Sequence, residues 1–285
     1  MRPLKIGDKT FDLDKQTIVM GVLNVTPDSF SDGGRHFSVD DAVSHAISMV
    51  KDGADIIDIG GESTRPGAAI VSLKGEMNRV IPVIERLVNA INVPLSIDTY
   101  KAKIAQKALD AGVNMVNDTT ALQDNKLMAS TIAEYEVPVC LMHMKGNPRN
   151  MQIAPKYDDV VGEIKSFLKE RAEYAMFCDI KKKNIVIDPG LGFGKRTGGG
   201  IEDNCEILGR LAEFKDLGYP ILVGPSRKTF IGNVCGGDTP LPVSERLEGS
   251  LAAACLAVVN GADIVRVHDV KETRRCVDLV GCTIR

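Results

Sequence analysis

The 285 residues contain no tryptophan, no Cys-x-x-Cys, no His-Glu-x-x-His, no low-complexity stretch and almost no net charge. Each absence removes a class of function. A net charge of −3, with 26% of residues charged, gives no field strong enough to draw in nucleic acid or an anionic membrane. No segment approaches the roughly 20 apolar residues of a membrane span, and Met1 to Gly7 is too charged and too polar for a secretory leader. A cytoplasmic protein is expected. The cysteines are odd in number, seven, and stand far apart at 140, 178, 205, 235, 255, 276 and 282. With histidines only at 36, 45, 143 and 268, they form no zinc spacing and no disulfide framework, so reduced cysteines acting as small hydrophobes are expected. No linker composition interrupts the chain, which predicts one domain over 1–285.

What the chain does have is a repeat of apolar runs followed by helical periodicity. Strands are predicted near 17–24, 55–60, 94–98, 113–117, 138–142, 184–188, 220–224 and 263–267. Helices are predicted near 39–52, 73–91, 101–111, 124–135, 157–178, 203–217, 244–260 and 270–280. Ser38 before Asp40 and Asp41 suits a helix start, and Gly53, Gly112 and Gly261 each fall just past a helix end. Strand then helix, eight times in a chain of this length, is the α/β pattern of a (β/α)8 barrel. Residues 3–13 alternate around a Gly-Asp turn, predicting a short N-terminal β-hairpin that closes the bottom of the barrel.

Nearly every predicted strand with recognisable chemistry ends in a polar residue: Asn24, Glu62 to Arg65, Asp98, Asn117, Asp188, Lys228, and Arg266 with His268. In a barrel these ends share one mouth, which points to an enzyme. Asn24 can offer a carboxamide oxygen to a hard cation such as magnesium carrying a pyrophosphate, or can serve as a turn former before Thr26-Pro27. Ser63, Thr64 and Arg65 are phosphate- or carboxylate-binding groups, although a solvated loop would explain Arg65 alone. Asp98, Asn117 and Asp188 suit a flat, nitrogen-rich heterocycle, because a carboxylate accepts paired hydrogen bonds from an amino-amidine edge while a carboxamide offers both donor and acceptor. The run Gly190 to Lys195 lacks the Ser or Thr of a P-loop and the spacing of a dinucleotide fold, and its glycines instead allow a ring to lie against backbone. Gly224 to Thr229, with Arg266 and His268, supply cations after strands seven and eight, where barrels often bind phosphate. Arg227 reads as a surface salt bridge. No Ser-His-Asp or Cys-His arrangement is present for nucleophilic catalysis.

The strings G-V-L-N-V-T-P-D-S-F-S-D-G-G, G-G-E-S-T-R-P-G, S-I-D-T, V-N-D, D-P-G-L-G-F-G-K, S-R-K and R-V-H-D-V, in this order from about residue 17 to 280, resemble the dihydropteroate synthase family of pterin-binding barrels. The resemblance implies a transferase of folate biosynthesis that condenses 6-hydroxymethyl-7,8-dihydropterin diphosphate with 4-aminobenzoate, assisted by Mg2+. It implies a pterin held by Asp98, Asn117, Met142, Asp188, Phe193, Gly224 and Lys228, and a diphosphate held by Asn24, Thr64, Arg266 and His268, with Asn24 on the metal. The aminobenzoate would meet Phe30, Ser63, Arg65, Pro66, Phe193, Lys228 and Thr229. Asp98, Lys228, Arg266, His268, Asp32 and Arg65 would carry the chemistry, in which pyrophosphate departs before the amine attacks. Members of this family often form homodimers through their later helices. Two departures stand out: the glycine-rich insertion at 196–201, and Thr229 where serine is more usual. A pterin-dependent methyltransferase would use the same acids without the diphosphate groups. A related synthase using another arylamine, a catalytically silent pterin-binding barrel and a Schiff-base lyase through Lys228 are the further alternatives.

Overall fold

The protein is described by a computed structural model covering residues 1–26, 38–63, 70–147, 150–198 and 200–284. It opens with the hairpin β1 (Pro3–Ile6) and β2 (Lys9–Asp12), paired antiparallel with Ile6 opposite Lys9 and Gly7 at a φ of 59° in the turn. The barrel strands follow as β3 (Ile18–Asn24), β4 (Ile56–Gly60), β5 (Leu95–Asp98), β6 (Met115–Asp118), β7 (Val139–Met142), β8 (Ile185–Asp188), β9 (Leu222–Val223) and β10 (Ile264–Val267). They pair parallel in the order β8-β7-β6-β5-β4-β3-β10-β9. A bridge between Ile187 and Ile221 joins the two ends and closes the ring.

Around the ring lie α1 (Val39–Lys51), α2 (Leu73–Ala90), α3 (Ala102–Asp110), α4 (Lys126–Tyr135), α5 (Val160–Phe177), α6 (Asp203–Gly209), α7 (Thr229–Gly236), α8 (Leu247–Val259) and α9 (Val270–Ile284). Ser38 caps α1 by accepting from the Asp41 amide at 3.0 Å, and Ser72 caps α2 by accepting from Gly75. Gly53, Gly112 and Gly261 leave their helices at φ near +105°, a region closed to most side chains.

Two helices differ from expectation. The stretch 203–217 is an α-helix only to Gly209, after which residues 211–217 wind as a 3-10 turn that stacks Leu211 and Phe214, three apart and both fully buried, onto one face. Helix α7 is hidden from propensity by its central Gly232, which close packing requires, since a Cβ there would sit 2.8 Å from the Leu241 carbonyl oxygen.

The period-2 alternation of the strands separates two cores. Residues pointing out of the ring, such as Val19, Ile57, Ile97, Val116, Leu141 and Val265, pack under the helices. Residues pointing in, among them Ile18, Met20, Ile56, Met115, Cys140, Val186, Leu222 and Ile264, form a second cluster together with Leu4, Ile6, Phe11 and Leu13 of the hairpin. The hairpin therefore plugs the bottom of the barrel, and Arg2 fixes it by an ion pair to buried Asp263 at 2.6 Å. Above that apolar tier the inward positions turn polar, and there the pocket begins.

Candidate active site

Strand register builds the pocket floor. Asn24 lies beside Gly60, Gly60 beside Asp98, and Asp98 beside Asn117, a row across β3 to β6 whose members all point into the ring. On the far side Met142 stands next to Asp188. The missing side chain at Gly60 matters: a Cβ there would lie 3.9 Å from Asn24 Oδ1 and 3.7 Å from Asp98 Oδ2, so the glycine leaves a cradle between two oxygens.

Arg266, inward on β10, spans two carboxylates, with Nε donating to Asp58 Oδ2 at 2.6 Å and Nη2 to Asp98 Oδ2 at 2.7 Å. Asn117 Nδ2 donates to the same Asp58 oxygen at 3.0 Å. One guanidinium cannot fully neutralise two buried acids, and burial pushes the Asp98 carboxyl above the ordinary carboxylate range against the pull of Arg266. Asp58 escapes a motif reading because it does not end its strand. Its signal is nonetheless present, a carboxylate in the middle of the apolar run IIDIG, two residues before Gly60 and so on the same inward face.

Asp188 accepts from the Gly190 amide at 2.7 Å through Oδ1, and burial raises its carboxyl to about 6. The turn that follows admits only glycine at 190, where φ is +70° and a Cβ would strike the His143 carbonyl oxygen at 1.9 Å. Behind that turn Lys195, fully buried, donates to the carbonyls of Gly190 and Phe193 at 2.9 Å and meets His143 Nδ1 at 3.0 Å. Burial lowers Lys195 to about 7 and His143 to about 2, so the proton between them belongs to the lysine and the neutral imidazole accepts through Nδ1. Neither stands out as a site residue in the sequence.

Lys228 does not end a strand as expected. It occupies the position before α7, five residues past β9, because β9 is only two residues long. From there its ammonium lies 4.2 Å from the centre of the Phe193 ring, and its stem passes Gly192. Gly224 lies beside Arg266, where a Cβ added to the glycine would fall 3.8 Å from the Arg266 Cβ. His268 is a potential cation by sequence, yet burial and the neighbouring Arg266 push it down to about 3, so it is neutral at physiological pH. Its backbone amide donates to Ser226 Oγ, and its Nδ1 meets the same hydroxyl at 3.0 Å. A hydroxyl donating to Nδ1 leaves Nε2 as the N–H donor.

Arg227 pairs with Asp269 through two contacts at the surface, and the insertion is tied down by Arg196, whose guanidinium grips buried Asp203. Glu62 is held by Lys101 and Tyr100, and Lys101 also binds Glu76 at 2.5 Å, fixing the strand end from which the next loop departs. Ser63 is half-buried and Thr229, the first residue of α7, is exposed. Phe30, Asp32, Thr64, Arg65 and Pro66 lie outside the described residues. Among the described residues no cluster of three or more His, Cys, Asp or Glu is placed to hold a metal.

A closed parallel barrel whose mouth gathers buried acids, a carboxamide, a shared guanidinium and a lysine over an aromatic ring has the build of a barrel enzyme acting on a small molecule. Residues 20–268 match the family described as pterin binding enzyme. The chain is 47% identical over 269 residues to the dihydropteroate synthase of Synechocystis sp., covering 94% of this chain and 91% of that protein. Among solved structures, a Yersinia pestis dihydropteroate synthase with a sulfonamide drug complex superposes with a TM-score of 0.91 at 44% identity, covering 99% of this chain and 98% of the other. The Xanthomonas albilineans dihydropteroate synthase in complex with 7,8-dihydropteroate does so with a TM-score of 0.87 at 42% identity, covering 99% and 98%. The chain belongs to the pterin-binding enzyme family, in its dihydropteroate synthase branch.

Proposed function

We propose that this protein condenses 6-hydroxymethyl-7,8-dihydropterin diphosphate with 4-aminobenzoate to give 7,8-dihydropteroate and pyrophosphate, a transferase step of folate biosynthesis. The observation that carries the reading is the ring of Asp98, Asn117 and Asp188 around one floor, with Arg266 bridging Asp98 to Asp58. Asp188 accepts the amino-amidine edge of the pterin, Asn117 presents an acceptor, and Met142 and the Phe193 ring bracket the faces. Gly224 leaves room beside Arg266. The methylene C–O bond breaks, its electron pair leaves on pyrophosphate, and the arylamine nitrogen bonds to the carbon and loses a proton. Asp98 stabilises the cationic pterin during that interval, while Arg266, Lys228 and the Nε2–H of His268 stabilise the departing anion. The work is positioning and charge stabilisation, which is why the pocket needs no nucleophile.

The single carboxamide of Asn24 facing the Gly60 cradle suits Mg2+, which keeps most of its waters and adds substrate phosphate. When bound it supplies charge to the leaving group. Thr64 joins the diphosphate site, and Phe30, Asp32, Ser63, Arg65, Pro66 and Thr229 complete the aminobenzoate site with Lys228. A homodimer through α8 and α9 is supported by the large apolar side chains these helices leave exposed, Leu256 and Val259 on α8 and Leu279 on α9. The free cysteines fit a reducing cytoplasm, and among the described residues no helix is long and apolar enough to cross a membrane.

The test is pyrophosphate release from the dihydropterin diphosphate with Mg2+, with and without 4-aminobenzoate. Release together with dihydropteroate, dependent on the amine, is the expected result. Pterin binding without product would move the assignment to another arylamine or to methyl transfer.

A further inference from the structure

Asp58 is fully buried on β4, and its Oδ1 has no hydrogen-bond partner among the described residues. A buried carboxylate left half-satisfied is a costly floor for a barrel, and an apolar side chain of similar size would generally be at least as stable there. The neighbouring inward positions below it, Met20, Ile56 and Met115, are apolar. Its other oxygen, Oδ2, does two things at once: it accepts from Asn117 Nδ2 at 3.0 Å and from Arg266 Nε at 2.6 Å.

We propose that Asp58 is the positioning residue of this pocket, setting the orientation of Asn117 and Arg266 from beneath without touching the substrate. The inference rests on the pterin reading above. For Asn117 the reasoning is one of amide polarity. A carboxamide whose NH2 is claimed by a carboxylate must present its carbonyl oxygen on the opposite side, so Asn117 faces the pocket as an acceptor. The N–H groups of a pterin ring require that acceptor. Without Asp58 either face of the amide can turn inward.

For Arg266 the reasoning is one of division. Its fork is shared between Asp58 through Nε and Asp98 through Nη2, which commits two of its roughly five N–H groups and holds the plane between β4 and β5. The remaining donors stay available to an anion. Remove Asp58, and the fork can close on Asp98 in the bidentate geometry that guanidinium and carboxylate prefer, withdrawing both groups from the substrate. A single oxygen therefore fixes one group for the ring and another for the diphosphate.

The test is Asp58→Asn, nearly isosteric, alone and combined with Asn117→Ala. Calorimetry with a dihydropterin lacking the diphosphate reads the ring, and steady-state kinetics reads the rest. Wild type is expected to bind the pterin, and Asp58→Asn to bind it roughly 10-fold or more weakly, as loss of an orienting partner does elsewhere. KM for the pterin diphosphate rises with it, while KM for 4-aminobenzoate holds within about twofold. In the Asn117→Ala background the same substitution is expected to cost less than about threefold in pterin affinity, because the group it acts through is gone. Ser96→Ala, a change in the same buried tier at the position beside Asp58, is expected to leave pterin affinity unchanged.

Full pterin affinity in Asp58→Asn, an equal loss with and without Asn117, or an equal loss in Ser96→Ala would each overturn the proposal while leaving the pterin reading intact. Wild-type protein that bound no pterin would overturn that reading, and this inference with it. Should Asp58→Asn not fold, Arg266→Lys answers for the second arm. It keeps the charge but cannot span both carboxylates, and a rise confined to the KM of the pterin diphosphate is expected; an unchanged KM would refute the role.

Discussion

Replacing Asp188 with asparagine separates recognition from stability, because the structure dictates which way the new amide must face. Oδ1 of Asp188 accepts from the Gly190 amide at 2.7 Å inside a turn that backbone clashes hold rigid. The carboxamide in Asp188→Asn keeps that bond only by turning its single oxygen toward Gly190. Its NH2 then points into the pocket, donor against the amino-amidine donors of the pterin. One hydrogen bond to a charged group, worth about 1.5–3 kcal/mol, is lost, and a donor-donor contact is added. A total of roughly 2–4 kcal/mol weakens binding by about 30- to 900-fold.

Stability moves the other way. Burial raises the Asp188 carboxyl to about 6, so the native state disfavours its ionised form. A raised native pKa gives stability that is fully present below the unfolded-state value and lost as pH rises through about 6. At pH 8 the substitution removes that penalty, and the unliganded variant is expected to melt at or above the wild-type temperature. Titration calorimetry with a dihydropterin at pH 8, alongside a thermal melt, checks both halves. Affinity within about threefold of wild type, or a binding loss accompanied by a lowered melting temperature, would refute the reasoning.

The same group sets a pH profile: pterin affinity of the wild type should fall about tenfold per unit below pH 6, as the acceptor is protonated, while Asp188→Asn shows no step there. Titrations between pH 5 and pH 8 read this directly, and a wild-type profile flat across that range would remove Asp188 from the ring site. Arg266→Ala strands Asp58 and Asp98 without their shared cation and is expected to cost about 3–5 kcal/mol in urea unfolding. A cost under about 1 kcal/mol would mean that the two carboxylates do not depend on it. Gly190→Ala should reduce both stability and pterin affinity, since its Cβ meets a backbone carbonyl that has nowhere to go; parallel melts and titrations check it.

Much of the barrel is legible in the sequence because its signals are local. Apolar runs, the helix cap at Ser38, and glycines at 53, 112 and 261 each act within a few residues of themselves. The polar strand ends Asn24, Asp98, Asn117 and Asp188 are visible for the same reason, since each interrupts an apolar run just where it stops. The hairpin follows from alternation around Gly7. What the sequence alone determines is therefore which segments are strands, which faces they bury, and which chemical groups leave the strands at one end.

Only the tertiary structure decides how those groups divide among partners. Asp58 and Arg266 are 208 residues apart and meet because β4 and β10 both flank β3 in a closed ring. Nothing in either strand indicates that one guanidinium serves two acids, or that Lys195 rather than Lys228 is the buried lysine behind the glycine turn. The neutral state of His268 is likewise a matter of surroundings, set by burial and the Arg266 charge and not by its own motif. Charge and hydrogen-bond allocation depend on distance and dielectric, and those exist only once the ring has closed.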